Sequence, residues 1–316
     1  MDRARCVLKS KAQMDISEKI ADLTRRATIL APDRPWLEAI ADLRAAASTQ
    51  PRQNYGALGS ILQPHVARGG DAIGGSPETF LRLVLCELTN DAITYGCTQG
   101  PRLPPSIQGL YTLQVHRIRR EAVDERLNHF RLSDDFFMKD LGLAMGYLLP
   151  VGAELVQPNA GVPRSILWQA GPRQLFSGLR YFVAGRRGFR DYCALHLDVR
   201  NLDDFNPEGW RQTYLRIAEL LSLNPEVAGV FGTAWFYDPA ISEVSPHLSY
   251  LRSVREAGGA MNFRGGTAAY VTESATAKSR RRAALYRQGR YRPTAYYLVW
   301  HRRELLKWAK TQGCDE

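Results

Sequence analysis

His196 and Asp198 are the residues of this 316-residue chain whose spacing points most directly to chemistry. Side chains two residues apart on a strand share a face. With the later His247 they form a two-histidine, one-carboxylate set, the ligand set of non-haem Fe(II) oxygenases. Arg252 or Arg255 would then hold the carboxylate of a 2-oxo acid. Without a metal, His196 or Asp198 serves as a general base, because histidine titrates near neutrality and burial lifts an aspartate towards it. Tyr237 and Asp238 close an apolar run just ahead of Pro239, at a strand end expected to be accessible. A third group lies between Lys278 and Arg303, where nine basic residues and no acid interleave with Tyr286, Tyr291, Tyr296, Tyr297 and Trp300. Arginine forks onto phosphate and rings stack on bases, so this stretch suits an anionic cofactor, an acidic carrier protein or a nucleic-acid backbone. A helical di-metal centre built on Glu87, Asp91, His116 and His129 is set aside, because the chain has no Glu-x-x-His pair.

The elements that position these groups fall into two parts. Residues 1–132 read as a helical N-terminal region. Asp15 caps a helix carrying Ile16, Ile20, Leu23 and Ala27, and Trp36, Ile40 and Leu43 open a second. Ser76-Pro77-Glu78 is a strong start for a third, and a fourth runs from Ser106 to about Arg126. Residues 133–316 read as an α/β domain with a mixed central sheet and flanking helices. Strands are expected at 143–150, 153–157, 165–169, Tyr192–Val199, Val227–Tyr237, Ala268–Thr272 and Thr294–Trp300. Helices are expected at 172–184, Pro207–Leu223, Ser245–Glu256, Thr276–Arg287 and Arg302–Lys310.

Composition limits what this architecture does. Hydrophobic residues make up 45% and charged residues 23%, which excludes a disordered or collagen-like chain. Lys+Arg is 42 against 32 Asp+Glu, a net charge of +10. From Arg173 on there are 22 basic and 14 acidic residues, so 8 of the 10 surplus charges lie there. That field attracts phosphates and acidic partners. No apolar run is long enough to cross a bilayer, so no membrane partner is expected. Met1–Ala12 is basic without an apolar segment, unlike a secretory signal. The five cysteines (Cys6, Cys86, Cys97, Cys193 and Cys314) show no CxxC spacing, and Cys86 sits in a core helix. A reducing, cytoplasmic setting is the expectation.

The segment Ser279-Arg-Arg-Arg-Ala-Ala-Leu-Tyr286-Arg-Gln-Gly289-Arg-Tyr291 resembles the strand–helix–strand end of GCN5-related N-acetyltransferases. The similarity spans residues 227–300. It implies an acyltransferase that moves an acyl group from a CoA or carrier thioester to an amine on a small molecule or peptide. Tyr286 would protonate the leaving thiolate. Val227–Tyr237 would be the splayed central strand. Ser245 would open the helix that receives the pyrophosphate, with Arg280, Arg281, Arg282 and Arg287 on the phosphates. The chain departs from the family's Gly-rich pyrophosphate loop, since residues 239–245 contain no glycine. A V-shaped gap between two parallel strands would favour acyl transfer. A double-sheet barrel would favour iron. A basic, non-enzymatic module for nucleic acid or protein is the third expectation.

Overall fold

The structure, a computed structural model, describes residues 2–49, 54–97, 101–183, 188–189 and 191–312, with side chains from residue 15. The expectations for the side chains of Met1–Ala12 and for Cys6 and Cys314 lie outside it. The chain divides into two compact units, Met1–Gly100 with Gln108–Pro150, and Pro101–Ile107 with Val151–Glu316.

The first unit is helical: α1 (Asp2–Leu30), α2 (Pro35–Thr49), α3 (Leu58–Ala72), α4 (Pro77–Tyr95), α5 (Pro105–Ala122) from Gln108 on, and α6 (Asp135–Ala144), ending in the short strand β1 (Leu149–Pro150). The start of α4 follows from its sequence: the Ser76 hydroxyl accepts from Thr79 N at 3.2 Å and Pro77 fills the first turn. Trp36, Leu43, Phe80, Leu83 and Cys86 are buried. Arg82 is buried as well, and its guanidinium donates to the Ala122 and Asp124 carbonyls at 3.0 and 2.9 Å. The segment expected to be a strand at 143–150 is the end of α6 followed by a turn, with only Leu149–Pro150 extended.

The second unit carries β2 (Glu154–Gln157), α7 (Pro172–Val183), β3 (Tyr192–Leu197), α8 (Pro207–Leu223), β4 (Gly229–Ala234), α9 (Ile241–Val244), α10 (Tyr250–Ala257), β5 (Met261–Arg264), α11 (Ala269–Ala277), α12 (Arg280–Arg287), β6 (Tyr296–His301) and α13 (Arg302–Gln312). Its strands lie in the order β2-β3-β4-β6-β5. β3 and β4 are parallel, while β2/β3, β4/β6 and β5/β6 are antiparallel. The protein is therefore of the α/β class, with a mixed sheet and flanking helices. One face packs Tyr192, Ala194, Phe231 and Phe263 against Tyr181 and Phe182 of α7. The other face is aromatic: Tyr214 of α8 lies 5.3 Å from Trp300 of β6, which lies 5.1 Å from Trp308 of α13.

Further local expectations differ: Asp15 lies inside α1 and does not cap a helix, and the helix expected from Ser245 starts at Tyr250. Residues 164–167 form a 3-10 turn instead of a strand. The apolar run at 227–237 is strand only over Gly229–Ala234, and Trp235–Tyr237 coil into a 3-10 turn. Ala268 is the extended residue that caps α11 and residues 269–272 are its start, so the last edge strand is Met261–Arg264 instead. The expected helix at 276–287 is two helices, with Ser279 capping the second through Arg282 N at 3.2 Å.

Helix α10 is pinned to the sheet at its end. Trp300 Nε1 donates to the Gly258 carbonyl at 2.9 Å, and a Cβ on Gly258 would stand 2.2 Å from Trp300 Cζ2. Gly258→Ala is therefore expected to overpack this contact by about 2 kcal/mol and lower the melting temperature by roughly 4–8 °C in a thermal denaturation. An unchanged melting temperature would contradict the packing.

Candidate active site

The parallel pair β3/β4 is where this sheet can hold a ligand, because ligands of open α/β sheets bind beyond the carboxyl ends of adjacent parallel strands. The paired register runs from Tyr192↔Gly229 to Leu195↔Gly232. Each strand continues for two more residues, His196–Leu197 and Thr233–Ala234. The first four residues of each strand are buried, and the last two of each become partly or fully accessible. The strands lose their shared register and their cover at the same point.

A buried polar group lies under that point. Glu154 of β2 stands opposite Leu197 in the β2/β3 register. Its Oε2 accepts from the Tyr214 hydroxyl at 3.0 Å and lies 3.5 Å from Arg255 Nη2. The Arg255 guanidinium sits 4.4, 4.8 and 5.2 Å from the ring centres of Tyr237, Tyr214 and Trp210. Its Nε and Nη1 are buried without a hydrogen-bond partner. A Cβ on Gly232 would stand 3.1 Å from the Tyr237 hydroxyl, 3.4 Å from Leu195 Cβ and 3.5 Å from Arg255 Nη1. The quartet of Glu154, Tyr214, Tyr237 and Arg255 thus abuts the last register pair, where a Cβ would press on the Tyr237 hydroxyl.

Burial governs the titration of these groups. It pushes the Glu154 carboxyl up, against the opposing pull of Arg255, Tyr214 and Tyr237. It also pushes the Tyr214 and Tyr237 hydroxyls well above their ordinary range. Burial pulls Arg255 down, but Tyr214, Tyr237 and Glu154 outweigh it and the guanidinium stays charged.

The sequence-derived candidates are distributed around this centre. Tyr237 is buried in the quartet, in contrast to the accessible strand end expected for it, because the 3-10 turn folds it inward. Asp238 is buried too, its side chain capping the turn by accepting from Ala240 N at 3.0 Å. His196 is half-buried at the β3 end, with Nε2 3.1 Å from Gln157 Oε1. It follows Leu195, so it faces the opposite side of the sheet from the Tyr237 hydroxyl. Asp198 is buried and caps the 3-10 turn Val199–Asp204, accepting from Arg200 N at 3.0 Å and from Arg200 Nη2 at 2.8 Å. Both of its oxygens are engaged, so Asp198 is a capping carboxylate rather than a free base. His247 is exposed on a 3-10 turn.

On the C-terminal side, Arg282 is buried 4.4 Å from the Trp235 ring centre and donates to the Ser245 hydroxyl at 3.0 Å and to the Ala275 carbonyl at 2.5 Å. Ser245 is buried and precedes a 3-10 turn, and α10 starts only at Tyr250, so Ser245 does not open a phosphate-receiving helix. Arg280, Arg281 and Arg287 are exposed on α12, and Tyr286 is 44% exposed. Gly289 ends that helix with a left-handed φ of 69°. Sequence reasoning missed Glu154 and Tyr214 altogether. The one available signal was an acid inside the alternating segment Ala153–Gln157.

Among the described residues, one group of three brings metal-ligating atoms within 4.8 Å of one another: Glu121, His129 and Asp140 in the first unit. Arg117 already spans it, 2.7 Å from Glu121 and 2.6 Å from Asp140. A guanidinium between the two carboxylates supplies the charge a cation would bring. His196, Asp198 and His247 form no such group, and the described strands of the second unit make one sheet, without the double sheet expected around an iron triad. Comparison with protein-family models, with curated proteins and with solved structures finds no match.

Removing the cation of the quartet strands the acid. Arg255→Met is expected to cost about 3–5 kcal/mol at neutral pH, read by urea denaturation, because Glu154 is left buried and uncompensated. The Glu154 carboxyl, already raised, rises further in that variant. The loss is therefore absent while Glu154 is neutral in both folded proteins, and it grows only as pH climbs past the raised value that Glu154 has beside Arg255. Adding Glu154→Gln should recover part of the loss. A penalty independent of pH would show that Glu154 is not the group left uncompensated.

Proposed function

We propose that the second unit is an acyltransferase-like catalyst that carries an acyl group from a CoA or carrier thioester to an amine acceptor. The observation that carries this reading is the early end of the β3/β4 register, with both strand ends turning accessible where they part. An extended thioester arm can extend a sheet's hydrogen bonding at such an opening, and its phosphates would face the cations of α12. Arg282 ties α12 to Trp235, directly after β4, and the same helix carries Arg280, Arg281 and Arg287.

The proposed chemistry uses His196 at the β3 end and Tyr286 of α12. The amine nitrogen attacks the thioester carbonyl carbon, a nitrogen–carbon bond forms and the carbon–sulfur bond breaks. His196 takes the proton from the amine, and Tyr286 gives one to the departing thiolate. His196 fits the base role better than Asp198, whose oxygens are engaged by Arg200. Tyr237 and Arg255 act as positioning residues that set the Leu195/Gly232 junction.

Acetyl-CoA at 1 mM is expected to raise the melting temperature by several degrees, since a ligand present at about a hundred times its Kd stabilises by about 2.7 kcal/mol. Thr233→Trp, at an exposed position in the opening, should abolish the shift while leaving the ligand-free melting temperature nearly unchanged. No shift in the unsubstituted protein removes the reading. With an accepted amine, Tyr286→Phe and His196→Ala should each slow turnover by roughly 100-fold or more.

A further inference from the structure

Helix α7 is apolar on two sides. Gly178, Tyr181 and Phe182 are buried, and the two aromatics join the core with Phe231 and Phe263. Phe176, Leu179 and Val183 recur at helical steps of three and four on the opposite side. That side meets solvent: Phe176 is 71%, Leu179 39% and Val183 66% exposed. Trp168, at the end of the 3-10 turn just ahead of the helix, is 61% exposed. Single exposed apolar residues are ordinary on any protein. A stripe of three on one helix with a tryptophan beside it in sequence marks an interaction surface.

Charge around the stripe is one-sided. Between Glu154 and Asp191 the sequence holds six arginines and no acid. Three of the arginines, Arg164, Arg173 and Arg180, are described and exposed. Arg173 and Arg180 stand two helical turns apart along the flank of the stripe. Protruding apolar side chains bordered by arginine match an interface that is anionic at its surface and oily just below. Leu179 and Val183 have no ring to stack on a base, so a nucleic acid would engage the arginines and leave the stripe wet.

We propose that α7 and the turn before it dock flat on an anionic lipid surface. Trp168, Phe176, Leu179 and Val183 enter the boundary between headgroups and acyl chains, and Arg164, Arg173 and Arg180 pair with lipid phosphates. No helix among the described residues is long and apolar enough to cross a membrane, and docking along the surface needs none. This surface and its partner are independent of the acyl-transfer reading.

The test is flotation of the full chain with vesicles of phosphatidylcholine alone and of phosphatidylcholine with about 30% phosphatidylglycerol. The protein should float with the anionic vesicles, weakly or not at all with the neutral ones, and less as salt rises. Phe176→Asp with Val183→Asp should lower partitioning tenfold or more, and so should Arg173→Ala with Arg180→Ala. All four positions are solvent-exposed, so the melting temperature should hold in both variants. Failure to float with anionic vesicles would overturn the proposal. Flotation unchanged by both double variants would do so as well, by placing the contact elsewhere. A dimer in sedimentation that Phe176→Asp dissolves, without vesicle binding, would assign the stripe to a second copy of the chain and also overturn it.

Discussion

A guanidinium sealed inside the second unit is the constraint on which the rest of that unit depends. Arg255 is fully buried, has Glu154 as its one acid at 3.5 Å, and keeps two nitrogens without partners. Moving each ion out of water costs several kcal/mol after relaxation. Three ring faces at 4.4–5.2 Å return about 2 kcal/mol each when desolvated. These contacts offset part of the cost of burial. What the cluster fixes is geometry. Glu154, Tyr214, Tyr237 and Arg255 come from β2, α8, the turn after β4, and α10, and all four must be in place for any one charge to be compensated.

That geometry coincides with the parting of β3 and β4. The Tyr237 hydroxyl and Arg255 Nη1 stand against Gly232, at the last residue pair the two strands share. Glu154 stands opposite Leu197, in the first stretch of β3 that has left the β4 register. A buried polar block thus lies beside the point where the shared register stops. The hydroxyls inside it stay protonated over the physiological range, because burial has raised them. They are fixed hydrogen-bonding groups, and the acyl transfer proposed above assigns proton transfer to His196 and Tyr286 instead.

Much of the fold was legible in the sequence, for identifiable reasons. Helix α8 is legible to the residue because Trp210, Tyr214, Ile217, Ala218 and Leu221 recur at helical spacing, and all five are buried; the Asn206 side chain caps its start by accepting from Gly209 N at 2.9 Å. Cys86 was read as a core residue and is buried. The run at 227–237 was read too long, because hydrophobicity cannot separate a strand from the buried turn that ends it. Edge strand β5 was missed, since Met261-Asn-Phe-Arg264 lies between two Gly-Gly pairs and looks like a loop. Tyr270-Val271-Thr272 was read as strand on β-propensity and is helix, where tertiary packing of Val271 prevails. The candidate site was only half legible. His196 and the arginines of α12 carry local signals. Tyr237 and Arg255 stand out singly, but their union with Glu154 and Tyr214 has no local signal, because the ion pair joins residues 101 positions apart.

The central claim is that the divided ends of β3 and β4 are the ligand site. Amide hydrogen exchange followed residue by residue, with and without acetyl-CoA, tests it most directly. The account predicts slowed exchange concentrated at His196–Leu197 and Thr233–Ala234, where the shared register has stopped. Exchange unchanged at those four amides, with protection confined to other parts of the chain, would contradict it.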